Sequence, residues 1–169
     1  MIIRPKIELK NIKHTAWASE ETHCYQATLY VDGNKWGTVS NQGHGGCDDF
    51  DGIGGKSYAD IKALNKQIAE TYSPDESYGM TTEQNLETLC GDLVNQWLRD
   101  KDFARAMKSK VLFTKPDVRG VWEVAVKKPQ TFDGVLFKMR TKSPEYTYLA
   151  DLSADEAKAL YFAGADDGI

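Results

Sequence analysis

The sequence has no apolar run of about 18 residues, the length that a membrane-spanning helix requires. Its first residues, MIIRPKIELKNIKH, alternate between apolar and polar side chains and lack the apolar core of a secretory signal peptide. Cys24, Cys47 and Cys90 are widely spaced and odd in number, which is typical of free thiols in a reducing compartment. We therefore expect a soluble, cytoplasmic protein that makes no membrane contact.

Two common ligand-binding motifs are also missing. The chain contains neither the phosphate-binding loop that ends in Lys-Ser/Thr nor the glycine fingerprint of dinucleotide-binding domains. No strong catalytic constellation replaces them, so we assign no catalytic residue and no cofactor. The sequence thus favours a binding protein over an enzyme.

The composition is that of an ordinary globular chain. Its 169 residues fit one domain, and a hydrophobic fraction of 41% is sufficient to build a core. The net charge of −4 is unevenly distributed, since residues 99–142 carry an excess of seven positive charges between two acidic segments. Such a basic segment could form a binding face, although charges separated in sequence often interleave after folding.

The N-terminal part of the chain predicts three strands. Residues 6–14 and 24–31 alternate between apolar and polar side chains, and Tyr25, Ala27, Leu29 and Val31 face one side. Asp32-Gly33 then separates the second strand from residues 36–40. An Asp-Gly pair between two such runs predicts a tight β-hairpin.

Residues 41–56, NQGHGGCDDFDGIGGK, hold six of the fourteen glycines and predict a long irregular loop. Long loops inside compact domains are often functional. His44, Cys47 and three aspartates in this loop could bind a metal, and Cys47 could serve as a nucleophile activated by a histidine. A passive turn with solvated aspartates is the simpler interpretation. We therefore leave the metal-ligating residues unassigned.

Two helices are predicted next, followed by a strand-rich segment and a last helix. Residues 57–72 and 81–98 have apolar side chains at three- and four-residue steps, with capping boxes at Ser57/Asp60 and Thr81/Gln84. A short continuation is expected at 101–108. Four strands are predicted at 111–113, 121–126, 135–139 and 146–149, and Ser153/Glu156 predicts the start of the final helix.

Strands and helices thus form separate blocks, which indicates an α+β fold. We expect one α+β domain over residues 1–169, with an antiparallel sheet and two or three helices packed on one of its faces.

The candidate binding residues are aromatic, loop and basic side chains. Exposed tryptophan is enriched at the energetic centres of interfaces, and both Trp17 in a polar loop and Trp36 after the hairpin turn are candidates. Cations near the end of a helix could contact phosphates or simply complement the helix dipole. The candidate set is Trp17, Trp36, Asn41, His44, Arg99, Lys101, Arg105 and Lys108.

The runs SEETHCYQATLYVDGNKWGTVSNQGHGGC and YLADLSADEAKALYF resemble a loose family of small proteins carried by prophages and other mobile elements. The shared features are a hairpin with a D-G turn and an N-x-G-H-G-G loop. The resemblance implies a small phage or mobile-element protein that inhibits or modulates a host complex, including defence systems, through protein–protein contact. The alternatives are a metal-assisted hydrolase of nucleotides or nucleic acid, with its site in loop 41–56, and the less favoured nucleic-acid binding through residues 99–142.

Overall fold

The computed structural model describes residues 3–76 and 81–165, with the side chains of 164 and 165 left aside. The chain divides into two compact units, residues 1–97 and 98–169, and each contains an antiparallel sheet with helices. This confirms the predicted α+β class, although the strands form two sheets and not one. A single domain over residues 1–169 stays a prediction.

The sheet of the first unit has four strands in the order β1-β2-β3-β4. They are β1 (Ile7–His14), β2 (Tyr25–Val31), β3 (Asn34–Asn41) and β4 (Asp49–Gly52). The Asp32-Gly33 hairpin is confirmed, because Val31 pairs with Asn34 and both turn residues have positive φ, 50° and 77°. β4 lies inside the segment predicted as a loop. The prediction that residues 41–56 are wholly irregular was therefore wrong.

Two helices follow this sheet, α1 (Tyr58–Thr71) and α2 (Leu86–Ser109). The capping box of Ser57 and Asp60 is confirmed. α2 begins five residues later than the predicted 81. At its start Asn85 and Thr88 bond reciprocally, each backbone N–H donating to the other side chain at 2.9 Å. The predicted helical continuation at 101–108 is confirmed, because α2 extends to Ser109.

The core of the first unit lies on one face of the sheet. β2 alternates as predicted, with Tyr25, Ala27, Leu29 and Val31 buried. The helices bury one stripe each, comprising Leu64 and Ile68 of α1 and Leu86, Cys90 and Val94 of α2. The four-residue spacing of these side chains places each stripe on a single helix face.

The second unit has a three-stranded sheet in the order β6-β5-β7. Its strands are β5 (Lys110–Lys115), β6 (Val118–Ala125) and β7 (Thr147–Tyr148), and a 3₁₀ turn follows at Leu149–Asp151. The central strand β5 is buried on both sides. Val111 and Phe113 belong to one core cluster, and Leu112 belongs to another. Side chains from helices therefore pack against both faces of β5.

The predicted strand at 135–139 is wrong, because these residues belong to helix α3 (Phe132–Lys142). Val135 and Leu136 are both buried against Val111 and Phe113. Adjacent residues can share one core on a helix, where they lie about 100° apart, whereas successive side chains of a strand point to opposite faces. The Thr131 hydroxyl caps this helix by accepting the Gly134 N–H at 3.2 Å.

The last helix, α4 (Ala154–Ala165), begins where the Ser153/Glu156 capping box predicted it. The Ser153 N–H donates to Glu156 Oε2 at 3.0 Å, and the Glu156 N–H donates to Ser153 Oγ at 3.3 Å. Within residues 3–76 and 81–165, no helix combines the length and apolarity that crossing a bilayer demands.

Candidate functional site

Asn41, at the end of β3, organises the glycine-rich loop. Its side chain is buried and makes four hydrogen bonds. Oδ1 accepts from Thr22 Oγ1 at 2.8 Å and from the Gly43 N–H at 2.9 Å, while Nδ2 donates to the Gly46 carbonyl at 2.9 Å and to Asp48 Oδ1 at 3.0 Å. A buried amide with this many partners fixes the surrounding backbone, because each broken bond would leave a desolvated polar group.

Gly43 joins this loop to the segment before β2. Its carbonyl accepts the backbone N–H groups of Glu20, Glu21 and Thr22 at 2.9, 3.0 and 3.4 Å. Gly43 has φ +90°, and a Cβ at this position would overlap the carbonyl oxygen of Ala18. The residue must be glycine on both grounds, since side chains disfavour positive φ and no space is left for one.

Residues 15–24, which we call the Trp17 turn, form a closed loop between β1 and β2. The Thr15 N–H donates to the Cys24 carbonyl at 2.9 Å, and Ser19 Oγ accepts the Cys24 N–H at 2.9 Å. Trp17 lies on a 3₁₀ turn, Ala16–Ala18, with 88% of its surface exposed. A large aromatic side chain is thus presented to solvent on backbone that is tied at both ends.

A cleft of about 210 Å³, which we call the Asp48 cleft, lies beside the Trp17 turn. The Tyr25 hydroxyl donates to Asp48 Oδ2 at 2.5 Å, and the Asp48 N–H donates to Glu87 Oε1 at 3.1 Å. Two half-buried carboxylates therefore meet in this cleft. Its lining residues are Thr22, His23, Tyr25, Asn41, Gly46, Asp48, Glu87 and Gly91.

The electrostatics of the cleft disfavour negative charge. Burial raises the pKa of Asp48, and the nearby Glu87 carboxylate raises it further, while hydrogen bonds from Tyr25 and Asn41 oppose the shift. Burial also raises the pKa of the Tyr25 hydroxyl, with its bond to Asp48 as the second cause. The Cys90 thiol has a raised pKa for the same first reason. Burial therefore favours the protonated, uncharged form of all three groups.

The other chemically active side chains of the loop do not gather at one point. His44 is exposed and pairs with Glu20, with Nδ1 and Oε2 3.2 Å apart. Cys47 is an exposed free thiol. Asp49 and Asp51 lie on β4, where their backbones pair with Ser40 and Thr38 of β3. Among the residues that the structure describes, no group of three His, Cys, Asp or Glu side chains could hold a metal ion. The metal-assisted hydrolase therefore gains no support from this geometry.

Trp36 occupies a different environment from Trp17. It is half-buried on β3, and the Lys56 ammonium lies 4.6 Å from the centre of its ring. An aromatic face covered in this way contributes local packing and cation–π stabilisation. It offers less surface to a partner than Trp17 does.

The four predicted basic residues lie on the second half of α2. The Arg99 guanidinium stacks over Phe162 at 4.5 Å, and Arg105 pairs with Asp102 at 3.2 Å. Lys101, Arg105 and Lys108 follow one another at four- and three-residue steps and are exposed. Only these three share a helix face, because Arg99 points about 160° away from Lys101 around the helix axis.

The sequence did not identify the cleft itself. Tyr25 was predicted only to face the same side of its strand as Ala27, Leu29 and Val31. Asp48 was one of three loop aspartates, and Glu87 and Gly91 were not singled out. Glu87 and Gly91 are four residues apart on α2, so they share a helix face. This spacing was the one available signal, but it does not indicate which side chains lie opposite.

No protein-family model matches the chain, and no curated protein or solved structure matches it. The resemblance to mobile-element proteins stays a prediction.

Proposed function

We propose that this chain is a non-enzymatic binding protein that contacts another protein through the Trp17 turn. The observation that carries the proposal is the exposure of Trp17, 88%, on a turn that is closed by hydrogen bonds at both ends. Tryptophan is among the residues that dominate binding energy in protein interfaces. Its burial by a partner would remove a large apolar surface from water.

The order of the turn favours binding energetically. Association costs free energy wherever a flexible loop must be fixed. Here the bonds from Thr15 and Ser19 to Cys24, and those from residues 20–22 to Gly43, have already fixed the backbone. Ordering of the turn would therefore offset little of the free energy that burial of Trp17 contributes to binding.

The charge around the turn indicates the kind of partner. Glu20 and Glu21 are exposed and follow Trp17 within the same turn. Their carboxylates repel a phosphate backbone and attract a basic protein surface. Protein contact is therefore favoured over nucleic-acid contact. The resemblance to prophage proteins supports a host complex as the partner and inhibition or modulation as the effect.

The test is capture of partners from a bacterial lysate with the tagged full chain, its W17A variant and a matched F137A variant. Phe137 is the control because it is a 69% exposed aromatic residue of the second unit. We expect the parent and F137A to capture the same protein. W17A should bind that protein at least 30-fold more weakly, as expected for a hot-spot residue of about 2 kcal/mol.

Equal affinity of W17A and the parent for the captured protein would overturn the proposal. Failure to capture any protein at micromolar concentration would count against it as well.

A further inference from the structure

The Asp48 cleft has a feature that the Trp17 contact does not use. Asp48 and Glu87 line it together, and within the described residues neither carboxylate forms an ion pair with a cation. Two like charges that share a half-buried site destabilise each other. A cationic group between them would relieve this repulsion.

The dimensions of the cleft restrict what can enter it. Its volume of about 210 Å³ is below the range of about 300–1,000 Å³ that is usual for small-molecule pockets. A group the size of one side chain fits such a volume better than a nucleotide does.

Gly91 supplies an observation that is independent of charge. It lies inside α2, where glycine is about 1 kcal/mol less favourable than alanine. It lines the cleft, and a Cβ at this position would meet no atom within 4 Å. The missing side chain therefore leaves open space on the helix face that borders the cleft.

We propose that the Asp48 cleft receives an arginine side chain of the protein partner, with its guanidinium group between Asp48 and Glu87. Arginine suits the site because its planar fork of N–H donors matches carboxylate oxygens in pairs. The Tyr25 hydroxyl and the Asn41 amide hold the Asp48 carboxylate in a fixed orientation for such a contact. This inference rests on the proposed function, since the arginine belongs to the partner that buries Trp17.

The two contacts can belong to one interface because they share a segment. Thr22 is part of the Trp17 turn and lines the cleft, and its hydroxyl is bonded to Asn41. A partner surface that covers the Trp17 turn can thus extend an arginine into the adjoining cleft.

The first experiment titrates the ¹⁵N-labelled full chain with N-acetyl-arginine amide and, separately, with N-acetyl-citrulline amide. Citrulline is a neutral analogue of nearly the same shape. We expect saturable shifts of the Gly46 and Gly91 amide signals with the arginine probe, at least ten-fold weaker binding of the citrulline probe, and weakening by salt. Equal responses to the two probes, or no response to either, would overturn the proposal.

The second experiment repeats the arginine titration with three variants. E87Q removes one carboxylate and should weaken binding at least ten-fold, whereas E70Q removes an exposed carboxylate of α1 that does not line the cleft and should have little effect. G91L fills the open space with a good helix former and should abolish binding while retaining a cooperative thermal transition. If E87Q binds as tightly as E70Q, or folded G91L binds as the parent does, the proposal fails.

The two proposals can fail separately. W17A should bind the arginine probe as the parent does, because Trp17 does not line the cleft. Loss of the partner by W17A without arginine binding to the parent contradicts the cleft proposal alone. Arginine binding with unchanged capture by W17A contradicts the Trp17 proposal alone.

Discussion

The Tyr25 hydroxyl donates a hydrogen bond to the Asp48 carboxylate. This bond links the buried start of β2 to the residue that precedes β4. Tyr25 is also the cross-strand partner of Asn41, and the Asn41 amide binds the other oxygen of the same carboxylate. Two neighbouring side chains of one sheet thereby fix Asp48 from both sides. This arrangement orders the glycine-rich segment and gives the cleft its shape.

Replacement of Asn41 by alanine should lower the free energy of unfolding by about 3 kcal/mol. It leaves several polar partners without a bond, and each unsatisfied buried group costs about 1–3 kcal/mol. The measurement is urea unfolding monitored by circular dichroism, with Q42A at the exposed neighbouring position as the control. A loss no larger than that of Q42A would show that Asn41 does not organise the loop.

Gly43 and Gly46 differ although they are three residues apart. G43A should lose about 1–3 kcal/mol, because it combines a positive φ with overlap against Ala18. G46A should stay within about 0.5 kcal/mol, since a Cβ at Gly46 meets open space. Thermal melting of the two variants provides the comparison, and similar melting temperatures would contradict it.

Asp48 predicts a specific pH dependence of stability. Because its folded pKa lies above the ordinary value of 3.8, the native state retains this proton longer than the unfolded chain. Its contribution is therefore fully present below the unfolded pKa and is lost as pH rises through the folded pKa. D48N has no such proton to lose.

We therefore expect D48N to gain stability relative to the parent as pH rises from about 4 to about 7. Parallel urea titrations at several pH values measure the difference in the free energy of unfolding between D48N and the parent. In this difference the contributions of the titratable groups common to both proteins cancel. A difference that is constant with pH, or that changes in the opposite direction, would be incompatible with the raised pKa.

Trp17 should contribute to binding and not to stability. W17A should change the free energy of unfolding by no more than about 0.5 kcal/mol, because its side chain packs against little of the protein. The fluorescence of the variant should shift to shorter wavelength, since the most water-exposed of the described tryptophans is removed. A destabilisation well above this limit would indicate that Trp17 is packed in solution.

Local sequence determined several elements of this protein. The Asp32-Gly33 turn and the alternation along β2 required only neighbouring residues, and both are confirmed. The capping boxes at Ser57 and Ser153 are likewise made by residues three positions apart. Such features are predictable because their stabilising contacts lie within one turn of the chain.

The errors occurred where distant residues decide the outcome. Residues 135–139 have a short apolar run that fits a strand or a buried helix. The helix forms because Val135 and Leu136 pack together against β5. β4 is similar, since Asp49–Gly52 has little strand propensity and is extended by pairing with β3.

The sequence by itself determined the α+β class, and the polar loop around Trp17 indicated that this side chain is exposed. Only the tertiary structure decided that Tyr25, Asn41, Asp48 and Glu87 would meet in one cleft. These residues come from two strands, a loop and a helix, and 62 positions separate Tyr25 from Glu87. Their proximity depends on strand register and helix packing, which are set by burial of the whole core and leave no local pattern in the chain.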